Sequence, residues 1–194
     1  MMRALSRLFA TALLLLGCVA LSAFALRCFY QSAYPARYLQ PVLDYSESNN
    51  LSPELVMAVI RTESGFRPQA QSHLGARGLM QITEETFDWV KVRIGGTAVY
   101  DDLYLSEVNI EYGTALLRLL LDEFGSVENA LGAYHAGFGS MQRWLADDRY
   151  SQDGLKIDFI PFPDTSNYIR KVISTTQIYA QLYNFSPESA AKKG

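Results

Sequence analysis

Ser52-Pro53-Glu54-Leu55-Val56-Met57-Ala58-Val59-Ile60-Arg61-Thr62-Glu63-Ser64-Gly65 is the stretch on which the reading of this chain turns. Ser52 is a good N-cap, and Pro53 suits the first helical position, where its missing N–H is not needed. The spacing predicts a helix over 53–64, stopped by Gly65. Val56, Val59 and Ile60 fall at helical spacing behind Glu63, so its carboxyl group is expected along the apolar stripe. The end of a helix is the negative pole of its dipole, and an apolar wall hydrates a carboxylate poorly. Both effects favour the protonated form. A carboxylic acid kept neutral near pH 7 can serve as a general acid. The competing reading is a solvated surface glutamate, the usual state of a charged residue at a helix end.

The segment after Glu63 shifts that balance. Residues 64–82 contain Gly65, Gly75, Gly78 and Pro68, which forbid one continuous helix. The segment is therefore a loop that starts a new helix near Gly78 or Thr83. It can wrap back and bring Ser72 and Gln81 towards Glu63. The run resembles the lytic transglycosylase domain of the soluble lytic transglycosylase and goose-type lysozyme superfamily. That resemblance rests on Glu63-Ser64, Phe66, Pro68, Ser72 nine residues after the glutamate, Gly75-Ala76, and Gly78-Leu79-Met80-Gln81. Ala133-Tyr134-His135-Ala136-Gly137 resembles the family's Ala-Tyr-Asn-Ala-Gly block, with His135 in place of Asn. The stretch from Ile160 to Ile169 resembles its Pro-Phe-x-Glu-Thr-x-x-Tyr-Val block, with Asp164 in place of Glu. Asn109-Ile110 and Tyr112-Gly113 resemble an intervening helix, and the resemblance covers about residues 38–183.

The resemblance implies a mainly α, lysozyme-like fold and an enzyme that cuts peptidoglycan glycan strands between N-acetylmuramic acid and N-acetylglucosamine. Glu63 would be the catalytic residue, acting first as acid and then as base, with a 1,6-anhydro sugar as product. Ser72, Met80, Gln81, Tyr134, His135 and Tyr168 would be substrate-binding, with Tyr168 placed to bond Glu63. Each also has a plainer reading: loop cap for Ser72, core for Met80, backbone partner for Gln81, satisfied core phenol for the tyrosines. Ser64, Gly75, Gly78 and Gly137 read as structural. Two other functions compete: a goose-type lysozyme, which would use water and need a second carboxylate such as Asp101 or Asp102, and a non-catalytic peptidoglycan-binding module.

The remaining helices are expected over 38–49, from a Thr83 cap to Gly95, from a Ser106 cap to Gly125, from Ser126 through Tyr134, from Gly139 through Trp144, and over 165–183. Ile110, Leu117, Leu120 and Leu121 are core candidates in the longest. Short extended pieces are expected at 99–100 and 157–160, and a polar disordered tail at 186–194.

Residues 8–26 form an uncharged, mostly apolar run of 19 residues, preceded by Arg3 and Arg7. A single-pass signal anchor, a secretory signal cut after Ala23-Phe24-Ala25, and a lipoprotein signal ending at Cys18 all fit this pattern. Each places the remainder outside the cytoplasmic membrane. The expected organisation is thus 1–29 as anchor or signal, 30–185 as the lysozyme-like domain, and 186–194 as tail. Some 150 residues suffice for a single core. The net charge is −3, and Arg3 and Arg7 supply two of the positive charges, so the rest stands at −5. With no basic cluster, no nucleic-acid partner is expected. Net charge offers no attraction to an anionic polymer, so sugar binding should rest on hydrogen bonds and apolar contact. Two cysteines near the N-terminus and two unrelated histidines give no metal or cofactor site.

Overall fold

The computed structural model describes residues 2–183 and 185, and residues 2–8 by their backbone alone. The expected tail at 186–194 lies outside the described residues. The chain divides into two compact units between Ala36 and Arg37. The expected boundary after residue 29 falls inside the first helix, α1 (Met2–Ala33). Its stretch Phe9–Ala33 is long and apolar enough to cross a membrane. Its large apolar side chains, such as Phe9, Leu14, Val19 and Phe24, are exposed all round.

The second unit is helical: α2 (Leu39–Ser48), α3 (Pro53–Glu63), α4 (Glu84–Ile94), a 3-10 turn (Tyr100–Tyr104), α5 (Ser106–Phe124), α6 (Val127–Ala136), α7 (Phe138–Leu145) and α8 (Pro163–Leu182). Among the described residues there is no strand, only the isolated bridges Gln71↔Arg77 and Arg77↔Ile82. The Ser52 hydroxyl accepts the Leu55 N–H at 3.1 Å and caps α3. We expect Ser52→Ala to cost about 1 kcal/mol, read as a lower urea midpoint with an unchanged slope.

α3 is the centre of the unit. All six residues from Leu55 to Ile60 are buried, where the sequence pattern showed only a stripe. A helix apolar on every side is a core helix. It packs most extensively on α8, and also on α2, while α5 packs on α6. Burying α3 this way fixes its last residue, Glu63, against the α8 face that carries Tyr168.

Three helix starts differ from expectation. Ser106 is the first residue of α5 and Leu105 its cap, with no side-chain bond. The reason is the preceding turn: Asp102 accepts the Val99 N–H at 2.9 Å and curls 99–104 into 3-10 form, so Tyr100 is not extended. α7 begins at Phe138, immediately after Gly137. α8 begins at Pro163, whose lack of an N–H suits that position. Leu121 is only half-buried, whereas Ile110, Leu117 and Leu120 are core. Residues 157–160 form no strand. Asp153 and Asp158 consume the backbone donors of Leu155, Lys156 and Gln152 within their own loop.

Candidate active site

Glu63 ends α3, and the chain leaves it through Ser64, which is buried and donates its hydroxyl hydrogen to the Ile60 carbonyl. Gly65, with φ 60°, breaks the helix. The loop from Phe66 to Ile82 is tied to itself. Gly78 N–H donates to Ala70 O at 2.9 Å, Ser72 N–H to Ala76 O at 2.9 Å, and Arg77 and Ile82 exchange bonds at 3.0 and 3.1 Å. The new helix starts at Glu84 with Thr83 as cap, the later of the two expected positions.

One buried side chain fastens this loop to α5. Asn109 donates from Nδ2 to the carbonyls of Arg77 (3.0 Å) and Leu103 (2.8 Å), and its Oδ1 accepts the Met80 N–H at 2.7 Å. Gly78 lies directly against it. A Cβ there would sit 2.0 Å from Asn109 Nδ2 and 2.3 Å from the Leu103 carbonyl, on a backbone with φ 76°. Only glycine fits. Sequence reading noted Asn109 as part of a motif but gave it no role at the site, because nothing local marks an asparagine that satisfies a loop distant in sequence.

The loop closes around a cavity of about 800 Å³ whose wall includes Arg37, Tyr38, Glu63, Arg67, Ser72 and Gln81. Glu63 is the single carboxylate in that wall. Burial pushes its pKa up from the usual 4.5 to about 7, opposed by the Tyr168 hydroxyl and the Lys171 ammonium. The Tyr168 hydroxyl is buried, close enough to pull on Glu63 but outside ordinary hydrogen-bonding geometry. Tyr38, Phe66 and Gln81 line the same cavity with φ of 55°, 65° and 50°, a left-handed conformation costly for such side chains. Backbone strain gathered around one cavity is a mark of a functional site.

Each candidate residue has a definite place. The Ser72 hydroxyl accepts the N–H groups of Leu74 (3.2 Å) and Ala76 (3.1 Å), so both lone pairs hold the loop and the O–H remains to donate. Gln81 donates both amide hydrogens, to Ala70 O (3.1 Å) and Gly78 O (2.9 Å). Only its carbonyl is left, as an acceptor. Tyr134 donates its hydroxyl to Met80 O at 2.6 Å and lines a second cavity, of about 410 Å³, with Trp89 and Phe138. Tyr168 is buried and meets Glu63, not open solvent. Gly75 and Gly137 both have positive φ, in the loop and between α6 and α7.

Met80 does not present its side chain to a ligand. It is fully buried against Gly113, where a Cβ would lie 2.2 Å from its sulfur. Its contribution is its backbone, which links Asn109 to Tyr134. Asp101 and Asp102 do not supply a second carboxylate. Asp101 pairs with Arg77 and is otherwise exposed, and Asp102 caps its own turn.

His135 stacks on Tyr168 (4.5 Å between centroids, 28°), and its Nδ1 lies 3.1 Å from the Thr165 hydroxyl. Its other face is open to solvent. The covered face lowers its pKa, partly offset by Asp164, so the neutral ring prevails at pH 7. We expect His135→Asn to change the rate less than about threefold, with the largest difference on the acid side of the profile, where the imidazolium forms. A pH–rate profile identical to the parent from pH 5 to 8 would remove any functional role for His135.

The sequence profile described as the transglycosylase SLT domain matches residues 40–156. The chain is 30% identical over 154 residues to the soluble lytic murein transglycosylase of Salmonella typhimurium, covering 77% of this chain and 24% of that protein. It is 33% identical over 173 residues to membrane-bound lytic murein transglycosylase C of Edwardsiella ictaluri, covering 75% of this chain and 47% of that protein. Among solved structures it resembles an inactive Glu-to-Gln mutant of the lytic transglycosylase Slt from Pseudomonas aeruginosa. The TM-score is 0.68 at 28% identity, over 78% of this chain and 25% of that one. The chain thus spans about a quarter of the length of the soluble relatives. The helical, lysozyme-like fold is that of the soluble lytic transglycosylases, and the chain belongs to the transglycosylase SLT domain family.

Proposed function

We propose that this protein is a peptidoglycan lytic transglycosylase that works with one carboxyl group. The observation that carries this reading is Glu63, the lone carboxylate of its cavity, desolvated to a pKa of about 7. Ordinary glycosidases place two carboxyl groups across the bond. Here one group serves twice. Neutral Glu63 gives its proton to the glycosidic oxygen as the bond to the muramic C1 breaks. The substrate's N-acetyl carbonyl oxygen bonds C1 and carries the positive charge. Ionised Glu63 then removes the proton of the muramic C6 hydroxyl, whose oxygen displaces the acetamido oxygen from C1. The 1,6-anhydro ring closes, Glu63 is neutral again, and no water is consumed. A pKa near working pH makes both transfers accessible to one residue. The Glu-to-Gln change in the inactive Pseudomonas protein supports an essential glutamate.

Ser72 would donate to the sugar and Gln81 would accept from it, the only capacities their loop bonds leave. Trp89 and Phe138 offer apolar surface for a strand extending past Tyr134. With Phe9–Ala33 as a membrane anchor, the catalytic unit would lie outside the cytoplasmic membrane.

The test is mass spectrometry of peptidoglycan digested by the full-length protein in detergent, beside Glu63→Gln. Anhydro-muropeptides, lost in the variant, are the expected result. Products heavier by one water would make the protein a hydrolase of the same fold. Binding without cleavage would make it a wall-binding module.

The raised pKa also sets a pH dependence. The acid form predominates below about pH 7, so initial rate should fall as pH rises through that value. Stability moves the same way. Unfolded Glu63 ionises near 4.5 and folded Glu63 near 7, so the folded state holds the extra proton between them. Glu63 therefore lowers stability progressively from pH 4.5 to 7. Thermal melts should show Glu63→Gln more stable than the parent at pH 8 and equal to it at pH 4.

A further inference from the structure

Net charge suggested no electrostatic attraction to an anionic polymer, but the distribution around Glu63 is different. Two guanidinium groups, Arg37 and Arg67, line its cavity. Arg37 precedes α2, and Arg67 comes after α3, so two separate segments deliver them to one wall. Neither has a carboxylate partner among the described residues, although acidic side chains outnumber basic ones in the chain. Arg37 makes no hydrogen bond there. Arg67 donates only from Nε, to Ser64 O at 2.8 Å, which orients the group and leaves its terminal nitrogens uncommitted. The other polar side chains of the wall, Gln69, Gln71, Ser72 and Gln81, are uncharged. Glu63, the single acid, is largely neutral below pH 7.

An arginine presents a planar fork of donors that matches a carboxylate. Two unpaired forks in a concave site of this volume, sufficient for a small ligand, form an anion-binding flank beside the catalytic acid. We propose that Arg37 and Arg67 bind carboxylate groups carried by the muramyl unit of the wall polymer, making its acidic substituent part of what the enzyme recognises. This rests on the reading of Glu63 as the acid of a peptidoglycan lyase. The carboxylate has two sources: the lactyl group of an unsubstituted muramic acid, or the acidic residues of a stem peptide attached to it.

The experiment is calorimetric titration of full-length Glu63→Gln protein in detergent, which binds without turnover. Three probes are used: the disaccharide-peptide with free stem carboxylates, the same compound with those carboxylates amidated, and the stem-free disaccharide with its lactyl carboxylate. Adding Arg37→Gln or Arg67→Gln should weaken binding of the recognised probe about tenfold each, the scale of a charge-assisted bond. The salt dependence of binding should fall with it. Loss confined to the free-stem probe assigns the stem peptide, and loss on the stem-free disaccharide assigns the lactyl group. Arg67→Lys, which keeps charge without the fork, should recover part of the affinity.

Equal binding of every probe with and without the arginines would overturn the proposal while leaving the lyase reading intact. Because the Arg37 side chain makes no hydrogen bond or ion pair among the described residues, its variant separates lost recognition from lost structure. No binding of any probe by the Arg-intact protein, with no cleavage by the parent, would overturn both.

Discussion

Replacing Glu63 with glutamine is expected to abolish glycan cleavage, with a loss of at least about 10³-fold in kcat, the upper part of the range for a general acid. Glutamine has nearly the shape of glutamic acid and can still hydrogen-bond, but it has no proton to give and no charge with which to take one. Both transfers fail together, so no residual slow product of one half-reaction is expected. The measurement is the release of soluble muropeptides, with calorimetric binding of a disaccharide-peptide as control. Retained binding with lost turnover places the defect in chemistry. Turnover within tenfold of the parent would mean that another group protonates the leaving oxygen. The two loop acids that could have served as a second carboxylate, Asp101 and Asp102, are already bound to Arg77 and to their own turn.

The second large effect is expected far from any substrate. Asn109→Leu keeps the branching and the number of heavy atoms but removes three bonds at once, leaving the Met80 N–H and the carbonyls of Arg77 and Leu103 without these partners. Each orphaned group costs about 1–3 kcal/mol. With partial relaxation we expect a total near 4 kcal/mol, a fall in Tm of about 10 °C for a unit of this size. Activity should fall further than stability, because the loop being released carries Ser72 and Gln81. Gly78→Ala should be comparably severe, as its new methyl meets Asn109 Nδ2. The two substitutions act on one junction and should combine with less than additive cost. Asn109→Ala in the Gly78→Ala background relieves one clash but not that with the Leu103 carbonyl, so rescue should be partial. Calorimetric melts of the parent, the two single variants, their combination and the Asn109→Ala/Gly78→Ala protein decide this, and full additivity would contradict a shared junction.

Much of the fold was legible because its signals are local. Ser52, Thr83 and Ser126 cap their helices through bonds to residues three positions on, and such a cap needs no tertiary partner to be read. Gly95 and Gly125 end helices with positive φ for the same kind of reason. The start of α5 was misplaced by one residue because the 3-10 turn before it, held by the Asp102 carboxylate accepting the Val99 N–H, leads directly into the helix at Ser106 and leaves Leu105 as its cap. α3 read as amphipathic but is enclosed, because its polar ends conceal a middle that α2 and α8 cover from both sides.

At the site, the order and spacing of residues around Glu63 sufficed to single out that glutamate as the candidate acid and to mark the loop that faces it, since these signals are carried by side-chain type and backbone permissiveness along one short segment. How each side chain is used was settled only by tertiary contact. Met80 turned inward because Gly113, on another helix, leaves room for its sulfur. Ser72 kept only its donor and Gln81 only its acceptor because carbonyls and N–H groups of the folded loop took the rest. The pKa of Glu63 rose to about 7 because the packed chain buries its carboxyl group, an effect that the Tyr168 hydroxyl and the Lys171 ammonium of α8 only partly offset. A hydrogen atom or lone pair can be spent once, and which partner takes it depends on distances that only the packed chain sets.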